Sequence, residues 1–184
     1  TGAAEPEPTR PSALEGSTIP WCGDMESIRA DPELYGDKHV YVFNNPDKRK
    51  VLPWARIKPG FEEAWLDREN FGWITLGFSE GVEERQAELE REFPGVGIVA
   101  VEVEHTRRER DQLQDRLADF LFDDLGLAGA VGSGSSTGMV HVDVVVTEEI
   151  VAALEAEFGG EPFCLDGPDP SELPPPGPQA TEGD

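Results

Sequence analysis

Two stretches of the chain alternate between apolar and polar residues, and each predicts a β-strand. Every second residue is apolar over 74–78, and every second residue is valine over 140–146. A period of two places one side of a strand on a hydrophobic core. An apolar run and a polar turn precede each strand, and the turns end in Gly72 and Gly138. This arrangement predicts two β-hairpins.

A helix and a further strand are predicted after each hairpin. The near-identical segments LEREFPG (89–95) and LEAEFGG (154–160) have helically spaced apolar residues and end in Pro-Gly or Gly-Gly, as helix C-termini do. After the first helix, the valine-rich residues 97–103 favour a strand. The chain therefore contains two units of hairpin, helix and strand, at about 63–103 and 129–166.

A connecting helix is predicted between the two units. Thr106 and Glu109 are spaced as a capping box, and residues 113–125 contain helically spaced leucines. The turn glycines of the two units are 66 residues apart and the helix ends 65, so the second unit loses one residue between strand and helix. We expect an α+β fold with an antiparallel or mixed sheet and with the helices packed on one face.

The two ends of the chain are typical of disordered linkers. Residues 1–20 and 167–184 are polar, contain prolines and lack periodicity, so the folded domain is predicted at 21–166. A polar start without methionine is what remains after removal of a signal sequence or a lipid-attachment cysteine. We therefore expect an extracellular or cell-envelope protein, with a removed lipid anchor as one route to tethering. The C-terminal linker is compatible with a further domain.

The net charge of the chain argues against some classes of binding partner. The formal net charge is −23, which repels phosphate backbones and anionic lipid and argues against nucleic acid and membrane surfaces. No apolar stretch approaches the ~20 residues that a membrane span needs. Five of the 15 basic residues lie within residues 48–58, a predicted loop that follows a predicted strand at 38–45. That loop serves either as an internal electrostatic partner or as a docking site for an acidic partner.

Cys22 and Cys164 lie at the two edges of the predicted domain. In an exported chain they predict one disulfide, and the alternative is a pair of buried thiols in a reducing cell. There is no CxxC motif, and His39, His105 and His141 are not spaced as metal ligands, so we expect no metal site. No cofactor motif is present, because GSGSST (132–137) lies within a hairpin rather than before a helix.

A catalytic site is not predicted. His141 and Asp143 point to the same face of one strand, and nothing near them resembles a nucleophile elbow. A hydrolase that uses these two residues is the alternative, and it needs a concave pocket with a nucleophile beside His141.

The face of the strands that points away from the helices is the predicted partner-binding surface. The candidate residues on it are Trp73, Thr75, His141 and Asp143. An exposed tryptophan there would be an aromatic anchor of the kind enriched in protein interfaces. The alternative is that an N-terminal segment folds over this face with Trp21, Trp54 and Trp65 and buries it.

Residues 61–81, FEEAWLDRENFGWITLGFSEG, resemble the pro-regions of the α-lytic type of secreted serine proteases. Those contain a pattern close to F-x-x-A-W-[IL]-D, a short turn with glycine, and an alternating strand that ends near Gly-x-Thr. The matching residues here are Phe61, Ala64, Trp65, Leu66, Asp67, Gly72, Leu76, Gly77 and Ser79. The resemblance continues over about residues 60–165 as a helix, a valine-rich strand, a capped helix, a second hairpin and a helix.

The resemblance implies a fold and a protein-binding role, because such pro-regions template and inhibit their protease through a sheet surface and a terminal strand. No protease domain follows here, so a protease partner is not implied. We expect a non-catalytic, exported protein-binding module that uses its open sheet face. The alternative is a structural spacer domain of a cell-envelope protein.

Overall fold

Two three-stranded sheets form within residues 9–36 and 44–173, which are the residues that the computed structural model describes. The elements follow in the order α1 (Lys48–Arg56), β1 (Phe61–Asp67), β2 (Trp73–Phe78), α2 (Val82–Glu92), β3 (Ile98–Glu102), α3 (Arg107–Ala118), β4 (Gly129–Gly134), β5 (Met139–Val144), α4 (Glu148–Phe158) and β6 (Phe163–Leu165). A π-helical turn, Asp119–Asp124, continues α3.

The two sheets have the same topology. In each, the hairpin strands β1–β2 and β4–β5 pair antiparallel, and the middle strand then pairs parallel with β3 or β6. Strands β2 and β5 are 66 residues apart, whereas β3 and β6 begin 65 residues apart, so the second unit is one residue shorter, as predicted. The predicted place of the loss is wrong: three residues join strand to helix in both units, and the second unit is shorter between α4 and β6. The predicted α+β fold with two hairpin–helix–strand units is confirmed.

Glycine is required at the two hairpin turns. Gly72 and Gly138 have φ angles of 73° and 68°, in the left-handed region that residues with a Cβ rarely adopt. The two capped helices also form as predicted. Thr106 and Glu109 make the capping box of α3, and the Thr147 side chain accepts a hydrogen bond from Ile150 N at the start of α4.

The repeat is longer than the sequence suggested, because each unit begins with a helix. Residues 48–58 were predicted as a loop, and this is wrong because residues 48–56 form α1. Helix α1 has the same place in the first unit as the end of α3 and its π-helical turn have in the second. Trp54 of α1 meets Phe93 with ring centroids 5.7 Å apart, and Phe120 meets Phe158 at 5.4 Å. Trp54 and Phe120 are 66 residues apart, the same offset as the strands.

Each pair of helices covers one face of its own sheet and encloses a separate core. In the first unit, Val51, Ala55 and Leu89 of the helices pack with Leu76 and Phe78 of β2. In the second unit the fully buried residues from the helices and strands include Leu117, Leu121, Val140, Val142 and Leu154. The helices therefore lie on one face of each sheet, as predicted.

The folded body extends beyond the predicted boundaries at both ends. Leu14 and Ile19 are 0% and 4% exposed and belong to the second core, so residues 9–20 are not a linker. Asp169 accepts hydrogen bonds from the backbone and hydroxyl of Ser12 and holds residues 167–173 against that segment. The rest of both predicted linkers, and residues 38–43 of the predicted strand, lie outside the described residues. No helix in the described part is long and apolar enough to cross a membrane.

Candidate functional site

Trp73 and Thr75 do not lie on an open face. They are 6% and 0% exposed, so the prediction that they form an accessible partner-binding surface is wrong. N-terminal residues cover this face, as in the alternative, but not with Trp21 or Trp54, because Trp54 packs on Phe93 and Trp21 packs against the second core. Tyr35 packs on Trp73 with ring centroids 5.5 Å apart, and the neighbouring Trp65 is half-buried on the paired strand β1.

Residues 22–35, which we call the covering segment, are held in place by polar contacts. The Tyr35 hydroxyl donates to Asp67 Oδ2 at 3.1 Å, and the Asn70 amide donates to the same oxygen at 2.7 Å. Burial opposes ionisation of Asp67, but these hydrogen bonds and the nearby Arg29 guanidinium outweigh it and hold its pKa below the usual value. The segment also donates from Ile28 N to Ser136 O, at the tip of the second hairpin.

His141 and Asp143 lie on the second sheet, so the four predicted residues do not share one surface. The His141 side chain is 30% exposed, and its Nδ1 lies 3.8 Å from Asp166 Oδ2. Asp143 is exposed. Thr137 Oγ1 lies 3.1 Å from His141 Nε2, so a hydroxyl does stand beside the histidine.

The contacts of Thr137 do not make it an activated nucleophile. Its hydroxyl lies equally close, 3.1 Å, to the carbonyl of Gly134, which provides a second acceptor for the proton. Asp143 is not the carboxylate beside the ring, and the 3.8 Å between Asp166 and Nδ1 exceeds hydrogen-bond length. The arrangement therefore lacks the oriented base that the hydrolase alternative needs.

Cys22 and Cys164 form a disulfide across 142 residues of chain, with Cα atoms 5.0 Å apart, as predicted. The bond joins the N-terminal segment to β6, and an isolated bridge between Trp21 and Leu165 lies beside it. A loop of this length contributes about 5 kcal/mol in the loop-entropy account. The disulfide therefore fastens the start of the covering segment to β6 of the second sheet.

The outer side of α1 is a basic and apolar surface, which we call the α1 surface. Its members are exposed and are spaced by three or four residues, with one more residue just beyond the helix: Arg49, Leu52, Pro53, Arg56 and Ile57. Ile57 is 80% exposed and Leu52 39%. Among the described residues, neither Arg49 nor Arg56 makes an ion pair.

Other basic residues of this segment serve the fold. Lys58 Nζ lies 2.8 Å from a Glu88 carboxylate oxygen on α2 and 4.6 Å from the ring centre of Trp54. Lys50 pairs with Asp47 at 2.7 Å. Lys50 and Lys58 are thus internal electrostatic partners, as the first interpretation predicted. The docking interpretation stays a prediction for the arginines of the α1 surface, which face solvent.

The corresponding face of the second unit has the opposite charge. At the 66-residue offset, Asp115 and Asp123 take the places of Arg49 and Ile57. Both aspartates are exposed, and the buried positions of the two helices remain apolar. The α1 surface is thus a property of one unit and not of the repeated fold.

A cleft of about 430 Å³ lies beside the α1 surface, between the two units. Its lining comes from α1, β1, α3 and the second hairpin: Leu52, Arg56, Phe61, Glu62, Glu63, Ala64, Arg107, Arg110, Asp111, Gln114, Ser133 and Ser135. Leu52 and Arg56 belong to both the cleft and the α1 surface, so the two are continuous. We call this the inter-unit cleft.

The floor of the inter-unit cleft is a buried ion pair. Arg110 of α3 is 1% exposed, and its Nη1 lies 2.5 Å from Glu63 Oε1 on β1. Burial raises the pKa of Glu63, and the hydrogen bonds from Arg110 and Ser135 offset this only in part. The pair fastens the connecting helix to the first sheet, which makes it a structural contact rather than a reactive one.

Comparison with known proteins adds no assignment: no protein-family model matches the chain, and no curated protein is significantly similar to it. The functional argument therefore depends on the surfaces described above. Sequence reasoning found the basic residues of α1 but not their shared face. The signal was present, because residues 49, 52, 53 and 56 follow helical spacing, but Pro53 and the charge run favoured a loop.

Proposed function

We propose that this chain is a non-catalytic, exported protein-binding domain that contacts its partner through the α1 surface. The observation that carries the proposal is Ile57, which is 80% exposed next to Arg56 on a chain with a net charge of −23. Contiguous exposed apolar surface marks interaction sites, and arginine is enriched in protein interfaces.

The charge of the surface indicates the chemistry of the partner. An acidic protein segment with an apolar side chain would pair with Arg49 and Arg56 and cover Leu52 and Ile57. Most other surfaces of this chain repel such a segment, so long-range attraction would direct it to α1. The inter-unit cleft offers room beside Leu52 for part of the same segment.

Export is supported by the disulfide, since such bonds persist in oxidising compartments. The resemblance to protease pro-regions supports a protein-binding role. The sheet surface that those pro-regions use is occupied here by the chain's own residues around Tyr35. We therefore place the contact on α1 rather than on the sheet.

Site-specific crosslinking tests the proposal. A photoreactive phenylalanine analogue replaces Ile57 in one protein and Leu125 in a control protein. Leu125 is 41% exposed and directly follows the π-helical turn after α3. Each folded protein is irradiated with the secreted and envelope fractions of the producing organism. We expect one dominant product from position 57, weaker at high salt, and no equivalent product from position 125.

Charge reversal checks that the α1 surface selects the partner. In the position-57 protein, Arg49→Asp with Arg56→Asp should abolish the product, because both cations become anions. The matched control reverses two other exposed arginines, Arg91→Asp and Arg108→Asp, and should leave it intact. A product that survives the first pair, or no product at all from folded protein, overturns the proposal and favours a structural spacer. Mass spectrometry of the product distinguishes a second copy of this chain from another protein.

A further inference from the structure

Three potential metal ligands converge where the N-terminal segment meets the second sheet. One ligand atom each of Cys22, Cys164 and His141 lie within 4.8 Å of one another. His141 and Cys164 are direct partners in the parallel β5–β6 ladder, which holds their side chains next to each other on one face. The sulfur atoms are bonded to each other in the oxidised protein.

The neighbouring residues fix the position of the His141 imidazole. A Cβ at Gly134 would lie only 2.2 Å from His141 Nε2, so the glycine leaves the space that the ring occupies. Nε2 thus faces β4 and lies 3.1 Å from Thr137 Oγ1. Nδ1 faces the opposite side, where Asp166 follows β6, with its carboxylate oxygen 3.8 Å away.

This orientation suits a metal ligand. If the Nε2 proton is donated to Thr137 Oγ1, that hydroxyl can donate in turn to the Gly134 carbonyl, which is 3.1 Å away. The lone pair of the neutral ring then lies on Nδ1. An outer partner that fixes the tautomer in this way is typical of histidines that bind metal.

We propose that the reduced protein binds one zinc ion through Cys22, Cys164 and His141, with Asp166 as the fourth ligand. Two thiolates, an imidazole and a carboxylate make a tetrahedral set that zinc accepts. Cys22 and Cys164 are 8% and 0% exposed, and the partly exposed His141 and Asp166 form the route of entry. Zinc and the disulfide are alternative clasps for the same segment, and the inference does not depend on the proposed function.

A phosphine reductant converts the disulfide form into the zinc-binding form in a stoichiometrically balanced reaction. The phosphine attacks one sulfur, the S–S bond breaks, and water supplies the oxygen of the phosphine oxide and the two thiol protons. Zinc then binds both sulfurs as thiolates and releases those protons. An added small-molecule disulfide can act as the two-electron oxidant: thiol–disulfide exchange would restore the Cys22–Cys164 bond, release the zinc ion, and leave the reagent as two thiols after uptake of two protons.

Zinc titration of the phosphine-reduced protein tests the site, with a competing chromophoric chelator to report free zinc. We expect one equivalent to bind the reduced wild type and none to bind the oxidised protein. Cobalt in place of zinc should give thiolate charge-transfer absorption. His141→Ala should weaken zinc binding by at least the roughly 10–100-fold that loss of an outer partner costs.

Two further measurements separate this site from binding by thiols alone. Thr137→Val retains every ligand but removes the outer partner, and we expect roughly 10–100-fold weaker binding. His105→Ala is the matched control and should bind as the wild type does. Equal zinc affinity in the wild type and in His141→Ala overturns the proposal, as does a reduced wild-type protein that binds no zinc. If His141→Ala fails to fold, Thr137→Val and Asp166→Asn decide by the same comparison.

Discussion

Replacing Arg110 with methionine should destabilise the protein in a way that depends strongly on pH. The Arg110 side chain is 2% exposed and that of Glu63 10%, and their closest atoms are 2.5 Å apart. Methionine keeps much of the volume of the arginine stem but removes the cation. The Glu63 carboxylate is then left buried without its direct charged partner, which is far more costly than removal of a surface ion pair.

The loss of unfolding free energy can be calculated from the cost of protonating Glu63. A buried carboxylate without a partner takes up a proton, and this costs about 1.4 kcal/mol for each pH unit above its unfolded pKa. From the ordinary value of 4.5 to pH 7 the cost is about 3.5 kcal/mol, within the 3–5 kcal/mol range for broken buried pairs. At pH 5 the same calculation gives less than about 1 kcal/mol.

The sign agrees with proton linkage. Burial raises the pKa of Glu63 in the folded wild type, and in Arg110→Met the pKa rises further. The folded state then holds more protons than the unfolded state, so its stability falls as pH rises from the unfolded pKa towards the folded one. The variant loses stability over a wider pH range than the wild type does.

Urea unfolding followed by tryptophan fluorescence, at pH 5 and pH 7, measures the effect. Arg107→Met on the same helix is the control, because that side chain is 73% exposed, and it should change the unfolding free energy by less than about 0.5 kcal/mol. Adding Glu63→Met to Arg110→Met should restore stability at pH 7 to within about 1 kcal/mol. An equal loss at pH 5 and pH 7 would show that packing, not charge, determines the effect and would refute this reasoning.

Three further changes have defined outcomes. Trp73→Ala should lower the unfolding free energy by about 3–5 kcal/mol in thermal melts, because the ring is buried against Tyr35; unchanged stability would contradict that burial. Serine at both Cys22 and Cys164 should cost about 2–5 kcal/mol in urea, and a reduced wild type should match it without metal. Hydrogen bonds from two serines hold the pKa of Asp169 well below its usual value, so its contribution is present at neutral pH and lost as pH falls. Asp169→Asn should speed hydrogen exchange of residues 9–20 at pH 7, with little difference at strongly acidic pH.

Local patterns predicted the repeated part of the fold correctly. Alternation over β2 and β5, the turn glycines Gly72 and Gly138 and the cap at Thr147 each depend on residues close in sequence. Such signals are strong because a strand face or a helix cap needs particular residue types at fixed spacing. They also located the disulfide, since only two cysteines are available.

The same local patterns could not predict contacts between segments that are distant in sequence. Leu14 and Ile19 are isolated apolar residues without a period, so residues 9–20 resembled a linker although both side chains are buried. Trp73 alternates correctly, but alternation does not reveal that Tyr35 covers the second face. His141 has no ligand spacing in the sequence, and it reaches the cysteines only through the pairing of β5 with β6.

The duplication itself supports placing the proposed binding site on α1. Both units need a helix with buried residues such as Val51 and Leu117, and neither needs any particular residue on the outer face of that helix. Asp115 and Asp123 show that acidic residues, which suit solvent, are compatible with the same packing. The first unit instead exposes Ile57 and carries arginine, which adds nothing to its core. Packing does not account for this difference between two halves of one fold, and the difference therefore supports the proposal that the α1 surface binds a partner.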